Sequence, residues 1–439
     1  MPAPPKILLV TFGSRGDVHP FVAVGQALLR EGCRAIVATS ADHRDLILSA
    51  GLEYAETGAT AAEVLGRLGL DMSALARSMA EDDRFLFEKI VFPHLKQAFN
   101  SLDAHCEECD AIILNPLAFF AQVAAEKRRL PLALLTLSPL LLYSTHDPPK
   151  GPGSPFIAEP GGRLALAYNR LALRVAAEVA WIWAAPLRRF RRDLGLRPRG
   201  GVGFFAPAEA GVETIALFSP LLTRARPRDG EGVLLAGHSF FDDPGAEDTA
   251  ERARLERFLE AGPAPIVFTL GSFFVNDGLA HYRAALAAAR GLGERAVLLA
   301  RREDVVALQQ EAGPQAFVGS YLRHSLLFPR ASLVVHHGGV GTSGQALKAG
   351  RPQLVTPYLG DQHDNALRLK RLGVARVLPG KRVSVATLTR ELAALRADGA
   401  YAAWAAAIAA KVAEEDGATV AARRIAAIAR GRGHHGEVK

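Results

Sequence analysis

The chain reads as two runs of short apolar strands, each alternating with amphipathic helices. In the first run Ile7-Leu8-Leu9-Val10 lies in an apolar strand over 6–11, followed by the glycine loop Phe12-Gly13-Ser14-Arg15-Gly16-Asp17. A helix over 20–30 comes next. Pro20 suits its first turn, where a missing N–H leaves no bond unmade, and Gly32 ends it. Further strands are predicted over 34–39, 111–114 and 132–136. The second run opens with a strand over 266–270 and the turn Gly271-Ser272, then continues with strands over 296–300, 333–336 and 353–356. Short, continuous apolar strands between helices predict parallel sheets with right-handed crossovers. The expected fold class is α/β, with two Rossmann-like domains.

Between the runs the pattern changes. Helical periodicity extends over about 164–194, with Trp181 and Trp183 near its centre and the basic cluster Arg188, Arg189, Arg191 and Arg192 after them. Stretches rich in Pro, Gly and charge cover 224–232 and 242–249. The expected division is a first domain over 1–235, a linker over 236–262, a second domain over 263–415, and a C-terminal helix and tail over 416–439. The segment 172–187 comes nearest to a membrane span, but Arg174, Glu178 and Pro186 interrupt it. The N-terminal apolar run is shorter than the roughly 7–15 residues of a signal-peptide core. A cytoplasmic protein is expected, at most peripheral to the inner face of a membrane, as a monomer or homodimer.

Composition narrows the class. Apolar residues make up 49% of the 439 residues and charged ones 22%, which suits a packed protein and excludes global disorder. The cysteines Cys33, Cys106 and Cys109 are too few for a disulfide scaffold. The net charge of +7 raises a nucleic-acid reading, but 42 of the 52 basic residues are Arg in an Ala-rich chain. A solvated Arg-rich surface explains that better than a binding stripe, so no nucleic-acid partner is expected.

The strongest local signal is the segment from Leu333 to Leu347, where Leu333-Val334-Val335-His336 runs into His337-Gly338-Gly339-Val340-Gly341-Thr342-Ser343-Gly344-Gln345. A buried strand, a glycine loop and a helix start together form an anion cradle. Thr342 and Ser343 add hydroxyls and His337 a ring donor, so a phosphate-bearing ligand is the natural reading. Gly339, Gly341 and Gly344 also fit G-x-G-x-x-G, a weak signal alone. A dinucleotide site should carry an acidic residue ending the next strand. Asp361 lies beyond that strand, after Pro357-Tyr358-Leu359-Gly360.

His337-Gly338-Gly339-Val340-Gly341-Thr342, Ala349-Gly350-Arg351-Pro352 and Asp361-Gln362-His363-Asp364-Asn365-Ala366 resemble the donor-binding signature of GT-B, family 1 glycosyltransferases. Gly13-Ser14-Arg15-Gly16-Asp17-Val18-His19-Pro20 resembles their acceptor-side loop. The likeness is to the sub-group of glycopeptide and sterol glycosyltransferases and the rhamnosyltransferase of rhamnolipid synthesis. It implies two Rossmann-like domains facing across a cleft, with the C-terminal helix packing back on the first. It implies a nucleotide diphosphate on the loop Gly338–Ser343, with His337 and Thr342 at phosphate oxygens and Ser272, Ser14, Arg15 and Gly16 on the donor side. Asp361 and Gln362 would hold sugar hydroxyls, and Tyr321 and Leu322 would line the base. Uridine-using members often carry Trp, Gln and Glu where this chain has Tyr321, His324 and Gln345. UDP and dTDP both stay open. No cofactor and no metal is implied.

Sugar transfer to a hydroxyl needs a base at the acceptor and stabilisation of the departing diphosphate. Asp17 is the expected base, as in the resembling sub-group. His19 is its rival, as the base itself or with Asp17 orienting it. Phe119, Phe120, Leu141, Tyr143, His146, Trp181 and Trp183 are the expected acceptor lining, suited to a lipid or hydrophobic natural product, although such clusters are often plain core. The competing classes are an NAD(P)-dependent oxidoreductase on the Gly339 loop and a non-catalytic nucleotide-sugar binder. Cys106-Glu107-Glu108-Cys109 is a lone C-x-x-C, and Glu81-Asp82-Asp83 fits a solvated helix face.

Overall fold

In a computed structural model of the chain, the described residues are 3–82, 84–151, 161–198, 212–224, 232–243, 248–271 and 278–435. The apolar runs form two parallel sheets. The first contains β1 (Lys6–Val10), β2 (Arg34–Thr39), β3 (Glu53–Glu56), β4 (Ala111–Leu114), β5 (Leu132–Thr136), β6 (Glu213–Ala216) and β7 (Val233–Leu235), in the order β3-β2-β1-β4-β5-β6-β7. The second contains β8 (Ile266–Thr269), β9 (Ala296–Leu299), β10 (Ala316–Gly319), β11 (Leu333–His336), β12 (Gln353–Val355) and β13 (Ala375–Val377), in the order β10-β9-β8-β11-β12-β13. Both sheets reverse direction beside their first strand, between β1 and β4 and between β8 and β11. In such sheets that reversal opens a crevice at the carboxyl ends of the strands, where ligands bind.

The strands are apolar throughout because both faces are covered. In β8, Ile266 and Phe268 pack into one cluster with Tyr282 and Leu388, while Val267 faces another with Leu255, Leu327 and Phe328. In the first sheet Leu8, Ile36, Ile112 and Leu114 pack against Phe99 and Phe119 from the helices Phe92–Asp103 and Phe119–Arg128. Complete burial of each such side chain stabilises the fold by about 1.5–3 kcal/mol.

The chain divides into two units, one of residues 1–69, 82–241 and 415–439, the other of 70–81 and 242–414. The helix Gly417–His435 thus completes the first unit, where Arg424 makes a bidentate pair with Glu213 at 2.6–2.8 Å and Arg423 pairs with Glu31 at 3.1 Å. The stretch expected as a linker contains the helix Thr249–Glu260, whose Leu255 and Leu259 are buried in the second unit. The helix expected over 164–194 is two, Arg163–Trp183 and Ala185–Asp193, parted at Ala184 where Pro186 occupies the second helix's first turn. Arg191 is not a surface charge: it is fully buried, pairs with Glu126 and donates to the Arg197 carbonyl at 2.8 Å. Among the described residues no helix is long and apolar enough to cross a membrane.

Candidate active site

Each sheet carries chemistry-bearing residues at its crevice. In the first unit the chain leaves β1 and turns at Gly13, whose φ of +125° lies where side chains are disfavoured. A Cβ there would also stand under 3.0 Å from Asp17 Oδ2. Asp17 is the third residue of the helix Arg15–Arg30, and its Oδ2 accepts from the Ser14 N–H at 2.8 Å and the Ser14 hydroxyl at 3.1 Å. This is one arm of a capping box. Ser14 is therefore committed to Asp17, while Arg15 and Gly16 are exposed in the first turn. His43 follows β2 and lies buried, with Nε2 3.1 Å from the Gly13 carbonyl oxygen. Burial pushes the Asp17 carboxyl above the ordinary carboxylate range, against the opposing Ser14 hydrogen bonds and His43. His19 turns elsewhere: its ring meets Phe241 edge-on, with centroids 5.2 Å apart. Residues two apart on a helix do not share a face.

In the second unit β11 delivers the paired histidines. His336 Nδ1 accepts the Gly338 N–H at 3.1 Å, so its Nε2–H donates to Gln353 Oε1 at 2.9 Å. Burial pulls His336 down to about 4 and keeps it neutral. The His337 ring lies between Gly271 and Gly339, where a Cβ on either would come within 3.0 Å of the imidazole. Burial, with His336 and His324 nearby, pulls His337 down to about 3. Its Nδ1 is buried with no hydrogen-bond partner among the described residues, as is the Ser343 hydroxyl. The helix Val340–Lys348 starts at Gly339 without a side-chain cap, and its first internal bond is Ser343 N–H to the Gly339 carbonyl at 2.9 Å. The N–H groups of Val340, Gly341 and Thr342 therefore precede the helical ladder. Partnerless donors at a positive helix end suit an anion. Ser272 lies outside the described residues.

The neighbouring loop is braced from behind. Asn365 Nδ2 donates to the Gly338 carbonyl and to Asp361 Oδ2, each at 3.0 Å. Gln362 Oε1 accepts from the N–H groups of Tyr358 at 2.9 Å and Leu359 at 3.2 Å. The buried pair Arg368–Asp364, at 2.6 Å, fixes the helix Gln362–Arg371. Tyr321 and Gln345 are half-buried, but Leu322 is 1% exposed and packs into the core, so only its backbone can face a base. Glu251, unforeseen in the sequence, holds the entry to Tyr321 by accepting the Ser320 N–H at 2.9 Å and its hydroxyl at 3.3 Å.

The expected acceptor lining divides. Phe119 is core, buried at centroid distances of 6.3 Å from Phe92 and 6.4 Å from Phe87. Phe120 instead lines a small apolar cavity with Phe12 and Leu117. Leu141 is half-buried, and Tyr143 adopts φ +50° with burial raising its hydroxyl. His146 Nδ1 lies 3.4 Å from the Thr145 hydroxyl. Trp181 and Trp183 are 48% and 37% exposed, and Arg188 stacks 3.6 Å above the Trp181 ring. Cys106 and Cys109 are buried thiols, pushed up to about 12 and about 11. No cluster able to hold a metal occurs among the described residues, and Asp83 lies outside them.

The structure thus has two doubly wound α/β units, one with a carboxylate at its crevice and one with a helix N-terminus of unmade N–H bonds at its own. The family model for the glycosyltransferase family 28 N-terminal domain matches residues 7–134, and that for the erythromycin biosynthesis protein CIII-like C-terminal domain matches 303–428. The chain is 30% identical over 418 residues to the O-mycaminosyltylonolide 6-deoxyallosyltransferase of Streptomyces fradiae, covering 88% of this chain and 87% of that one. It is 28% identical over 381 residues to a sterol 3-beta-glucosyltransferase of Arabidopsis thaliana, covering 82% of this chain and 55% of the plant protein. Among solved structures it resembles the kitacinnamycin glycosyltransferase (TM-score 0.69, 20% identity, 97% of this chain and all of that one). It also resembles the glycosyltransferase VinC in complex with dTDP (TM-score 0.63, 20% identity, 97% and 99% covered). The chain belongs to the family 1 glycosyltransferases of GT-B fold.

Proposed function

We propose that the chain is an inverting transferase that moves a hexose from a nucleotide-diphosphate sugar, UDP or dTDP, to a hydroxyl of a hydrophobic acceptor of the natural-product or sterol kind. The observation that carries this is the cradle of partnerless donors: His337 Nδ1, the Ser343 hydroxyl and the first-turn N–H groups of Val340, Gly341 and Thr342. A diphosphate supplies the missing acceptors. The names of its relatives fit, since one is named for O-mycaminosyltylonolide and another for sterols, and VinC was solved with dTDP.

In this reading the acceptor oxygen attacks the anomeric carbon from the face opposite the diphosphate. Asp17 takes the acceptor proton as the sugar–phosphate bond breaks. A carboxylate is a weak base for an alcohol, so proton transfer follows bond formation closely, and the raised Asp17 pKa brings it nearer the working range. Charge growing on the leaving diphosphate meets the fixed dipoles of the cradle, with neutral His337 donating from Nδ1. Asp361 and the Gln362 amide meet sugar hydroxyls.

The decisive experiment offers UDP- and dTDP-hexoses with a pooled hydrophobic acceptor set and reads hexose adducts by mass spectrometry. Adducts with one nucleotide series are expected. Stabilisation by NADH rather than UDP or dTDP would favour the oxidoreductase reading instead. Nucleotide binding without transfer or slow donor hydrolysis would leave a binding protein.

A further inference from the structure

The helix Arg163–Trp183 of the first unit has an unusual outer surface. Asn169 is its one fully buried residue, and the Asn169 amide donates to the Thr145 carbonyl at 3.2 Å, which pins that edge of the helix to the protein body. At 3.6 residues per turn, Leu164, Tyr168, Leu171, Val175, Val179 and Ile182 fall in one stripe turned away from Asn169. These six side chains are between 40% and 88% exposed. Half of the exposed large apolar side chains among the described residues lie on this one helix. A surface helix ordinarily turns its polar residues outward. Single exposed apolar residues are normal, but a continuous row marks a surface that meets something.

The charges beside the stripe say what it meets. Arg163, Arg170 and Arg174 recur at helical spacing along one of its edges, and all three are exposed. Arg189 and Arg192 of the helix Ala185–Asp193 are exposed as well. None of these five forms an ion pair among the described residues. Glu178 is the one acidic residue of the helix Arg163–Trp183. A second copy of the chain could cover the apolar stripe, but it would bring the same row of guanidinium groups, with one carboxylate per helix against three arginines. An anionic bilayer offers both complements, acyl chains to the stripe and phosphates to the arginines. Arginine stems can run along the apolar boundary while their heads stay among the phosphates.

We propose that the helix Arg163–Trp183 docks on the surface of an anionic lipid bilayer, with its apolar stripe at the acyl boundary and its arginines among the head groups. It lies on the bilayer and does not cross it, because crossing would place Arg170, Arg174 and Glu178 in hydrocarbon. The inference goes beyond glycosyl transfer and does not depend on it.

The test sediments the full chain with vesicles of phosphatidylcholine alone and of phosphatidylcholine mixed equally with phosphatidylglycerol. An arginine beside an anionic surface is worth about a fivefold change in partitioning, so binding to the mixed vesicles should be about tenfold tighter or more. R170Q/R174Q should remove about tenfold of that preference. L171Q/V175Q leaves the charge unchanged and should weaken binding to the mixed vesicles by about tenfold. Both substituted pairs are exposed, so melting temperatures should match that of the parent, and V175Q alone carries the test if the double variant melts early. In W404F, where Trp181 and Trp183 are the remaining indoles, emission should shift to the blue on adding mixed vesicles. The proposal is overturned if the chain does not sediment with the mixed vesicles, or binds both kinds equally. It is also overturned if L171Q/V175Q binds as the parent does, or if the W404F emission stays unmoved. A dimer in sedimentation velocity that L171Q/V175Q dissociates would assign the stripe to a second copy and overturn it too. Neither donor nor acceptor is present, so the outcome is independent of the transfer assay.

Discussion

The loop after β4 and the loop after β11 hold the same place in their sheets, each beside the reversal of strand order, yet they make opposite surfaces. After β4 the chain reads Asn115-Pro116-Leu117-Ala118-Phe119-Phe120, and after β11 it reads His337-Gly338-Gly339-Val340-Gly341-Thr342. In the first, apolar side chains cover the start of the helix, and Asn115 closes the turn on itself by accepting the Leu117 N–H at 2.9 Å. In the second, glycines leave main-chain N–H groups bare, and a Cβ at Gly338 would press within 3.0 Å of the Gln362 carbonyl. Topology fixes where a ligand can sit, and the side chains at the loop decide what chemistry it would meet there. A third loop completes the contrast: the helix Arg15–Arg30 supplies its own anion, Asp17, to its own cap.

The largest effect should come from Asp17→Asn. It keeps the shape of the cap and removes the base, so transfer should fall about 10²–10⁴-fold in initial-rate assays. Calorimetric binding of UDP or dTDP should not change, because the anion chemistry belongs to the other unit. A fully active variant would abolish the assigned division of labour. His337→Ala comes next: losing a hydrogen bond to a charged group should weaken nucleotide binding by about 1.5–3 kcal/mol by calorimetry. Gly13→Ala places a side chain at φ +125° against Asp17, and should cost about 1–3 kcal/mol in urea unfolding.

The smallest effect is a difference in acid response. His336 and His337 titrate near 4 and 3 when folded, against an ordinary value of 6.5. Their contribution to stability is complete above about pH 6.5 and is lost as pH falls from there toward 4, because the unfolded chain takes up protons first. Asp17 has the opposite sign, since its raised pKa favours the folded state at low pH and withdraws that support as pH rises. Melting temperature followed from pH 7 to 5 should fall, and His337→Ala should flatten the slope. If the slope were unchanged in that variant, the buried, neutral state assigned to His337 would be wrong.

Most central strands were readable because both faces are buried, although β6, between β5 and β7, was not foreseen. Ile7-Leu8-Leu9-Val10 and Leu333-Val334-Val335 carry no polar residue to blur the signal. β3, with the sequence Glu53-Tyr54-Ala55-Glu56, and β13, with Ala375-Arg376-Val377, lie at sheet edges and were not foreseen, because a half-exposed strand of three or four residues looks like a turn. The glycine loops announced themselves by composition. His43 and Glu251 did not, because each reaches its neighbour from a different segment. His43 meets Gly13 only because β2 lies parallel beside β1. Phe119 and Trp181 show the complementary limit: aromatic content was plain, but not which way each ring points. One faces the core and the other solvent.

The helix Gly417–His435 buries Ala421, Ala422, Ile425, Ala426 and Ala429 within the unit that contains β1. The half of the molecule that leaves the ribosome first is therefore the half that finishes last. Its sheet must wait, with that apolar seat uncovered, through the synthesis of the entire second unit. A chain truncated after Glu414 should hold a complete second unit and a first unit still open to chaperones.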